Sequence, residues 1–356
     1  MKKYFINGHT SEGPYHLIDQ FLEYCSISLV TGGSMYVRGE VLKETVKALE
    51  QEGERVVIFV HPNDGETYDS IFIPSKELLL LSDNEPLLPL SRFRGIVQQT
   101  YNLNDCLNLS SLRSDTANIL RYSDEIKQNQ HKAYLYFAKG REIHEEKEKI
   151  YLSAMDFSEA DKVAEEIIED LFSNVVAKEN SPIERKLFFG AATGYGPVNF
   201  INTITEGLSK RIIIKGRSGS GKSTLMRKIV AEAKGHGLSV DYFPCALDPN
   251  SLDMVVIPSL SFAIIDGTAP HVINAERSSD SIVDMFERCI NQDVEQNNMI
   301  LLTEIEQNYK DKMKSGTNHL HRVNELEMKV HEMYEKYISE EKLSSIIQQI
   351  KVNILK

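Results

Sequence analysis

The stretch RIIIKGRSGSGKSTLMRKIV, from Arg211 to Val230, limits the folds open to this chain more than any other. Gly216 to Ser223 match G-x-x-x-x-G-K-[ST] in full, and a chance match in a chain this long has a probability on the order of one per cent. A β-rich run, Arg211 to Lys215, precedes the glycines, and Leu225, Met226, Ile229 and Val230 follow at the spacing of one helix face. Strand, glycine loop and helix in that order let successive N–H groups converge on an anion at a helix N-terminus. Gly216, Arg217, Ser218, Gly219, Ser220, Gly221, Lys222, Ser223 and Thr224 are therefore the candidate phosphate-binding residues. Lys222 is expected to reach the β- and γ-phosphates and Ser223 to enter a Mg²⁺ shell.

Such a site needs an acid at the end of a buried strand. Phe262 to Ile265 form a short apolar run that ends at Asp266, which we expect to hold the metal and to act with Lys222 in catalysis. The competing reading is an Asp-Gly turn with Gly267. No Glu follows Asp266, so the site either polarises water with another residue or transfers phosphate to another acceptor, the second being slightly favoured. Ser239 to Phe243 and the run DMVVI read as two further strands, with Asp248 and Asp253 assigned to loops as ligands or as turn formers.

A second stretch repeats the first with its chemistry altered. Adding 184 to each number from Gly32 to Pro86 aligns identical residues without a gap, among them Gly32 with Gly216, Ser34 with Ser218, Asp69 with Asp253 and Pro74 with Pro258. A fixed offset held at Gly, Asp and Pro indicates a duplicated domain. In the first copy Val37 replaces Gly221, Arg38 replaces Lys222, Gly39 replaces Ser223 and Ser82 replaces Asp266. Catalysis is expected from the second copy alone. The match extends upstream, where Gly13-Pro14 meet Gly196-Pro197, and IHEEKEKIY (Ile143 to Tyr151) resembles VHEMYEKYI (Val330 to Ile338). Neither is H-E-x-x-H, so these histidines are read as solvated helix residues.

The tandem arrangement, the DGTAPH segment from Asp266 to His271 and the SLD before VVIPS resemble a poorly characterised bacterial family of duplicated P-loop ATP-binding proteins, labelled ATPases or nucleotide kinases. The resemblance implies nucleotide binding. The chain departs from the family at Val37, Arg38, Gly39 and Ser82, since the first copy of that family often looks like a working P-loop.

The expected fold is α/β: two tandem P-loop NTPase-like αβα domains, each followed by a helix-rich segment. The boundaries are 1–180 for the degenerate copy and 181–356 for the competent one, with a polar linker near Lys178 to Lys186. Lys132 to Phe172 carries helical periodicity with a break near Met155, where Ser158 is expected to cap the next helix. From Ser281 onward two or three helices are expected, packed against those of the first half. The net charge of -12 argues against a general nucleic-acid binder. Cys25, Cys106, Cys245 and Cys289 show no metal or disulfide spacing, and no run is long and apolar enough for a membrane span, which places the chain in the cytoplasm.

Two functions follow as expectations. The first is a Mg²⁺-dependent enzyme that cleaves ATP, or GTP, or transfers its γ-phosphoryl group to a small-molecule acceptor. Arg217, Arg277, Arg38, Arg92 and Arg94 are candidates for extra charge compensation. The second is a nucleotide-switched module that presents its helices to a protein partner.

Overall fold

A computed structural model describes residues 2–88, 95–177 and 181–355. Arg92, Arg94 and the first residues of the expected linker, 178–180, lie outside the described residues. The first repeat runs β1 (Lys3–Tyr4), the hairpin β2 (Asn7–Thr10) and β3 (Gly13–His16), β4 (Ser26–Thr31), α1 (Met35–Gln51), β5 (Val57–Val60), β6 (Tyr68–Ile73), β7 (Leu78–Ser82), β8 (Val97–Asn102), a short α2 (Leu109–Leu112), α3 (Thr116–Leu152) and α4 (Phe157–Phe172). The second runs β9 (Glu184–Lys186), the hairpin β10 (Gly190–Thr193) and β11 (Gly196–Asn199), a short α5 (Ile201–Ile204), β12 (Lys210–Lys215), α6 (Lys222–Gly235), β13 (Val240–Pro244), β14 (Leu252–Ile257), β15 (Phe262–Asp266), β16 (Asp280–Asp284), α7 (Met285–Cys289), α8 (Asp293–Asn297), α9 (Met299–Glu335) and α10 (Glu340–Leu355).

The protein is mixed α/β, with two six-stranded sheets of one design. The first has the order β1-β5-β6-β7-β4-β8 and the second β9-β13-β14-β15-β12-β16. In each, the third strand is antiparallel to both neighbours and the other pairings are parallel. β4, β6 and β7 map onto β12, β14 and β15 at an offset of 184, while both hairpin strands and the helices α3 and α4 map onto their counterparts at 183. α3 and α9 are each 37 residues long, and α4 and α10 each 16. The duplication therefore covers the helical extensions as well as the sheets. It also corrects the pairing of the two His-Glu stretches: His144 corresponds to Glu327 and His331 to Glu148, one helical turn away from the alignment that pairs the histidines.

The repeats are consecutive in sequence, but the compact units interleave. Unit 1 comprises Met1–Leu135, Phe189–Ile204 and Ser315–Lys356; unit 2 comprises Tyr136–Phe188 and Thr205–Lys314. Within unit 1, α10 packs on α1. Within unit 2, α4 packs on α6, and its Val163, Ala164, Ile167 and Phe172 share a core with Leu225, Met226 and Ile229. Each buried Val, Ile or Phe of that face contributes about 1.5–3 kcal/mol, so the terminal helix of one repeat is a large part of what closes the core of the other. The long helices also pair within each unit. Ile126 of α3 joins Val323, Leu326 and Val330 of α9 in unit 1, and the backbone at Gly140 approaches Met313 in unit 2.

Three local expectations change. Asp280–Asp284 is not helical; its β-branched Ile282 and Val283 suit the strand β16, which pairs in parallel with β12. Asp156, not Ser158, caps α4, accepting the Glu159 amide at 3.0 Å, because a cap must precede the first helical residue. Asp253 lies within β14 rather than in a loop.

Candidate functional site

In unit 2 the predicted strand, loop and helix are β12, the Gly216–Gly221 loop and α6. The loop needs its glycines. Gly219 and Gly221 have φ of +76° and +83°, in the left-handed region that a branched residue avoids. A Cβ at Gly219 would lie 2.7 Å from the backbone oxygen of Glu148, and one at Gly216 would lie 2.6 Å from Ser220 Oγ. Gly221 forms the left-handed step from which α6 starts at Lys222.

Lys222 is buried, and its Nζ donates to the Arg217 carbonyl at 2.7 Å and lies 3.6 Å from Asp266 Oδ2. The lysine and the strand-end acid predicted from the sequence are thus brought together. The turn reading of Asp266 also holds: its Oδ1 accepts from the Thr268 amide at 3.0 Å and from the Thr268 hydroxyl at 2.6 Å. Gly267 leaves no room for a glutamate, since a Cβ there would meet Ile213 Cγ2 at 2.5 Å and the Ile273 carbonyl at 2.9 Å.

The remaining predicted residues divide. Ser220 Oγ closes the loop by donating to the Arg217 carbonyl at 2.8 Å. Ser223 Oγ accepts from the Leu252 amide at 2.9 Å and from Arg227 Nη1 at 3.1 Å, so both of its lone pairs are engaged, and metal coordination requires Arg227 to withdraw. Thr224 is exposed. Arg217 turns away to Glu295, at 2.6 Å, beneath the Phe286 ring, and Arg277 donates to the Thr205 carbonyl at 2.8 Å.

Acidity gathers beside Lys222. Asp253 stands opposite Asp266, one step beyond the Met254–Ile265 pair of β14 and β15. Burial, and then the Asp266 charge, push the Asp253 carboxyl up to about 7, with a Cys245 hydrogen bond and Lys222 opposing. Burial also lowers His271 to about 4 against the pull of Asp266, which leaves its imidazole neutral at pH 7. Among the described residues no group of three or more His, Cys, Asp or Glu side chains forms a metal cage. Magnesium does not require one: it commonly takes one or two carboxylates and completes its shell with water and phosphate oxygens. The hard oxygen donors of Asp266, Asp253 and Ser223 suit that mode of binding.

Sequence reasoning missed two residues of this site. His144 of α3, read as solvated, is half-buried, with Nε2 2.9 Å from Ser218 Oγ and its ring 5.5 Å from that of Tyr309. Arg141, one turn earlier, forms an ion pair with Asp248. The signal available was the i, i+3 spacing of two basic residues on a helix long enough to reach another core.

The equivalent place in unit 1 is built differently. α1 begins at Met35, three positions earlier in the repeat than α6, and Ser34 caps it. Val37 disfavours the left-handed step of Gly221, so the helix continues back through the segment that forms the loop in unit 2. Arg38 then fills the space, with Nη1 donating to the Gly32 and Gly33 carbonyls, each at 3.0 Å, and Nε to Ser82 Oγ at 2.9 Å. A Cβ at Gly39, the Ser223 position, would lie 2.4 Å from Thr67 Cγ2.

No protein-family model matches the chain, and no curated protein or solved structure matches it either. No helix among the described residues is long and apolar enough to cross a membrane.

Proposed function

We propose that unit 2 is a P-loop nucleotide site, which binds ATP or GTP with Mg²⁺ and cleaves or transfers the γ-phosphoryl group, and that the unit 1 counterpart is a non-catalytic copy. The observation that carries this reading is the convergence of Lys222, on a glycine loop between a buried strand and a helix, with Asp266 at the end of the adjacent parallel strand. Lys222 would exchange the Arg217 carbonyl for phosphate oxygens, and the loop amides and the α6 N-terminus would hold the remaining charge. Mg²⁺, held through Asp266 and Ser223 with Asp253 close by, would neutralise charge on the β- and γ-phosphates. The closed packing at Gly267 supports transfer to an acceptor over hydrolysis, because it removes the position from which a glutamate would orient water.

The test is Mg-ATP binding and turnover by the full-length protein, with and without a panel of nucleosides and nucleoside monophosphates. Lys222→Ala is expected to abolish both; normal affinity in that variant would sink the assignment. A phosphorylated acceptor formed in step with ATP loss would identify a kinase. The second reading, a slow nucleotide-switched module, is favoured by one observation: α3 contacts the loop at Ser218, so loop occupancy can be read by a helix. Tight binding with turnover independent of any acceptor would select it.

A further inference from the structure

The helix that covers the glycine loop of unit 2 does not come from the repeat that carries the loop. α3 follows the first repeat's sheet in sequence, yet its residues from Tyr136 onward belong to unit 2. His144 shares a hydrogen bond with Ser218, and the Glu148 backbone oxygen lies where a Cβ at Gly219 would be, so this stretch rests on the loop itself. Arg141 pairs with Asp248, in the turn after β13, and with Glu145 at 3.0 Å. Lys147 makes no ion pair or hydrogen bond among the described residues. Burial, and then the charges of Lys147 and Lys222, hold the His144 imidazole below its usual pKa.

Unit 1 provides a comparison within the same chain. At the offset of 183, Arg141, His144 and Lys147 correspond to Asn324, Glu327 and Val330 of α9. That helix covers the unit 1 loop in the same manner, with His331 Nδ1 2.9 Å from Ser34 Oγ. There, however, Asn324 donates to the Asn63 carbonyl at 2.8 Å, and Glu327 and Arg38 influence each other's charge. The loop filled by its own arginine is covered by a helix that offers an acid. The loop with the full glycine set is covered by one that offers Arg, His and Lys at the same three positions. In unit 1 the charge that Glu327 faces is that of Arg38; an anion held at the unit 2 loop would set an opposite charge before Arg141, His144 and Lys147.

We propose that Arg141, His144 and Lys147 form the second wall of an anion site in unit 2, so that the polyphosphate of a nucleotide is held between the loop of the second repeat and the helix of the first. This rests on the nucleotide reading above. Arg141 would exchange Asp248 for a phosphate oxygen, since its planar fork fits a carboxylate or a phosphate alike, while Glu145 remains its partner along the helix.

The test is titration of the full-length protein with inorganic tripolyphosphate, and separately with Mg-ATP, at low and moderate salt. Removing two charges from the site is expected to weaken both ligands about tenfold or more in Arg141→Ala/Lys147→Ala, and to flatten the salt dependence. Lys139→Ala, an exposed cation of the same helix that faces away from Arg141 and His144, is expected to bind as wild type. Wild-type affinity in the double variant, with Lys222→Ala defective, overturns the proposal and leaves the nucleotide reading standing. If wild type and Lys222→Ala alike bind neither ligand, the nucleotide reading falls and the proposal with it. Should alanine at these positions cost the fold, Arg141→Gln/Lys147→Gln keeps side-chain length without the charge, and unchanged binding there is equally fatal.

Discussion

Units 1 and 2 carry the same strands in the same order, and two departures separate them. In unit 2, Arg211 of β12 pairs with Asp280 of β16 with side chains 1% and 0% exposed; in unit 1 the corresponding register pair is Ile27 of β4 and Val97 of β8. At the loop, Gly221 stands against Val37. The sheet accepts a buried ion pair in place of two aliphatic residues because every polar atom is answered. The Arg211 guanidinium bonds both Asp280 oxygens, at 2.7 and 2.6 Å, and Thr205 Oγ1 at 3.2 Å, while the Glu276 and Arg277 amides donate to Asp280 Oδ2 at 2.9 and 3.0 Å. The loop accepts no such exchange, since a single Cβ changes where the helix begins.

Breaking the ion pair is the largest expected effect. Asp280→Ala strands a buried guanidinium and should cost about 3–5 kcal/mol in denaturant unfolding, while Arg211→Ile/Asp280→Val, which installs the unit 1 pair, should recover most of that. A double variant as unstable as the single would show that the two sheets are not interchangeable at this position. The pH dependence has a definite sign. The Arg211 hydrogen bonds, chiefly, hold the Asp280 carboxyl well below the usual carboxylate range. Its contribution is therefore complete above the unfolded value of about 4 and fades as pH falls below it. The double variant should gain on wild type in acid and not at pH 7.

Installing the unit 1 residue at the loop comes next. Gly221→Val forces a branched residue to φ +83°, a strain of about 1–3 kcal/mol, and places its Cβ 2.7 Å from Met155 Cε. The loop should give way before the sheet does. Mg-ATP affinity is expected to fall at least about tenfold to hundredfold with only a modest loss of melting temperature. Wild-type affinity would mean that the left-handed step is dispensable. The reverse change, Val37→Gly, should not create binding in unit 1, because Arg38 still fills the space and Gly39 supplies no hydroxyl.

These contrasts also mark what could be read in advance. β12, the glycine loop, α6 and the strand ending at Asp266 were legible because each is local: glycines at fixed spacing, an apolar run, a helical period. The duplication was legible because an offset survives where side chains change. The cover of each core was not, since the apolar face of a 37-residue helix shows that it packs but not against what. His144 was missed for that reason, and because aligning the two His-Glu stretches displaces the repeat by one turn. Arg211 opens a β-rich run and its partner Asp280 is 69 residues away, so the pair has no local signal.

Emptying the unit 1 site should have the smallest effect, and one confined to stability. Arg38→Ala leaves the Gly32 and Gly33 carbonyls without their donor and removes a cation that draws on Glu327. A cost of about 1–3 kcal/mol at pH 8 is expected, with Mg-ATP binding unchanged. Burial already raises the Glu327 carboxyl above its usual range, with His61 and Arg38 pulling it back, so losing Arg38 raises it further. A group whose folded pKa is raised favours the fold at low pH and loses that advantage as pH rises through its folded value. The variant should therefore lie closer to wild type at pH 5 than at pH 8 in denaturant titrations. A loss of nucleotide affinity in Arg38→Ala would remove the distinction between the proposed nucleotide loop and a self-filled one, because it would make the unit 1 arginine part of the site that binds.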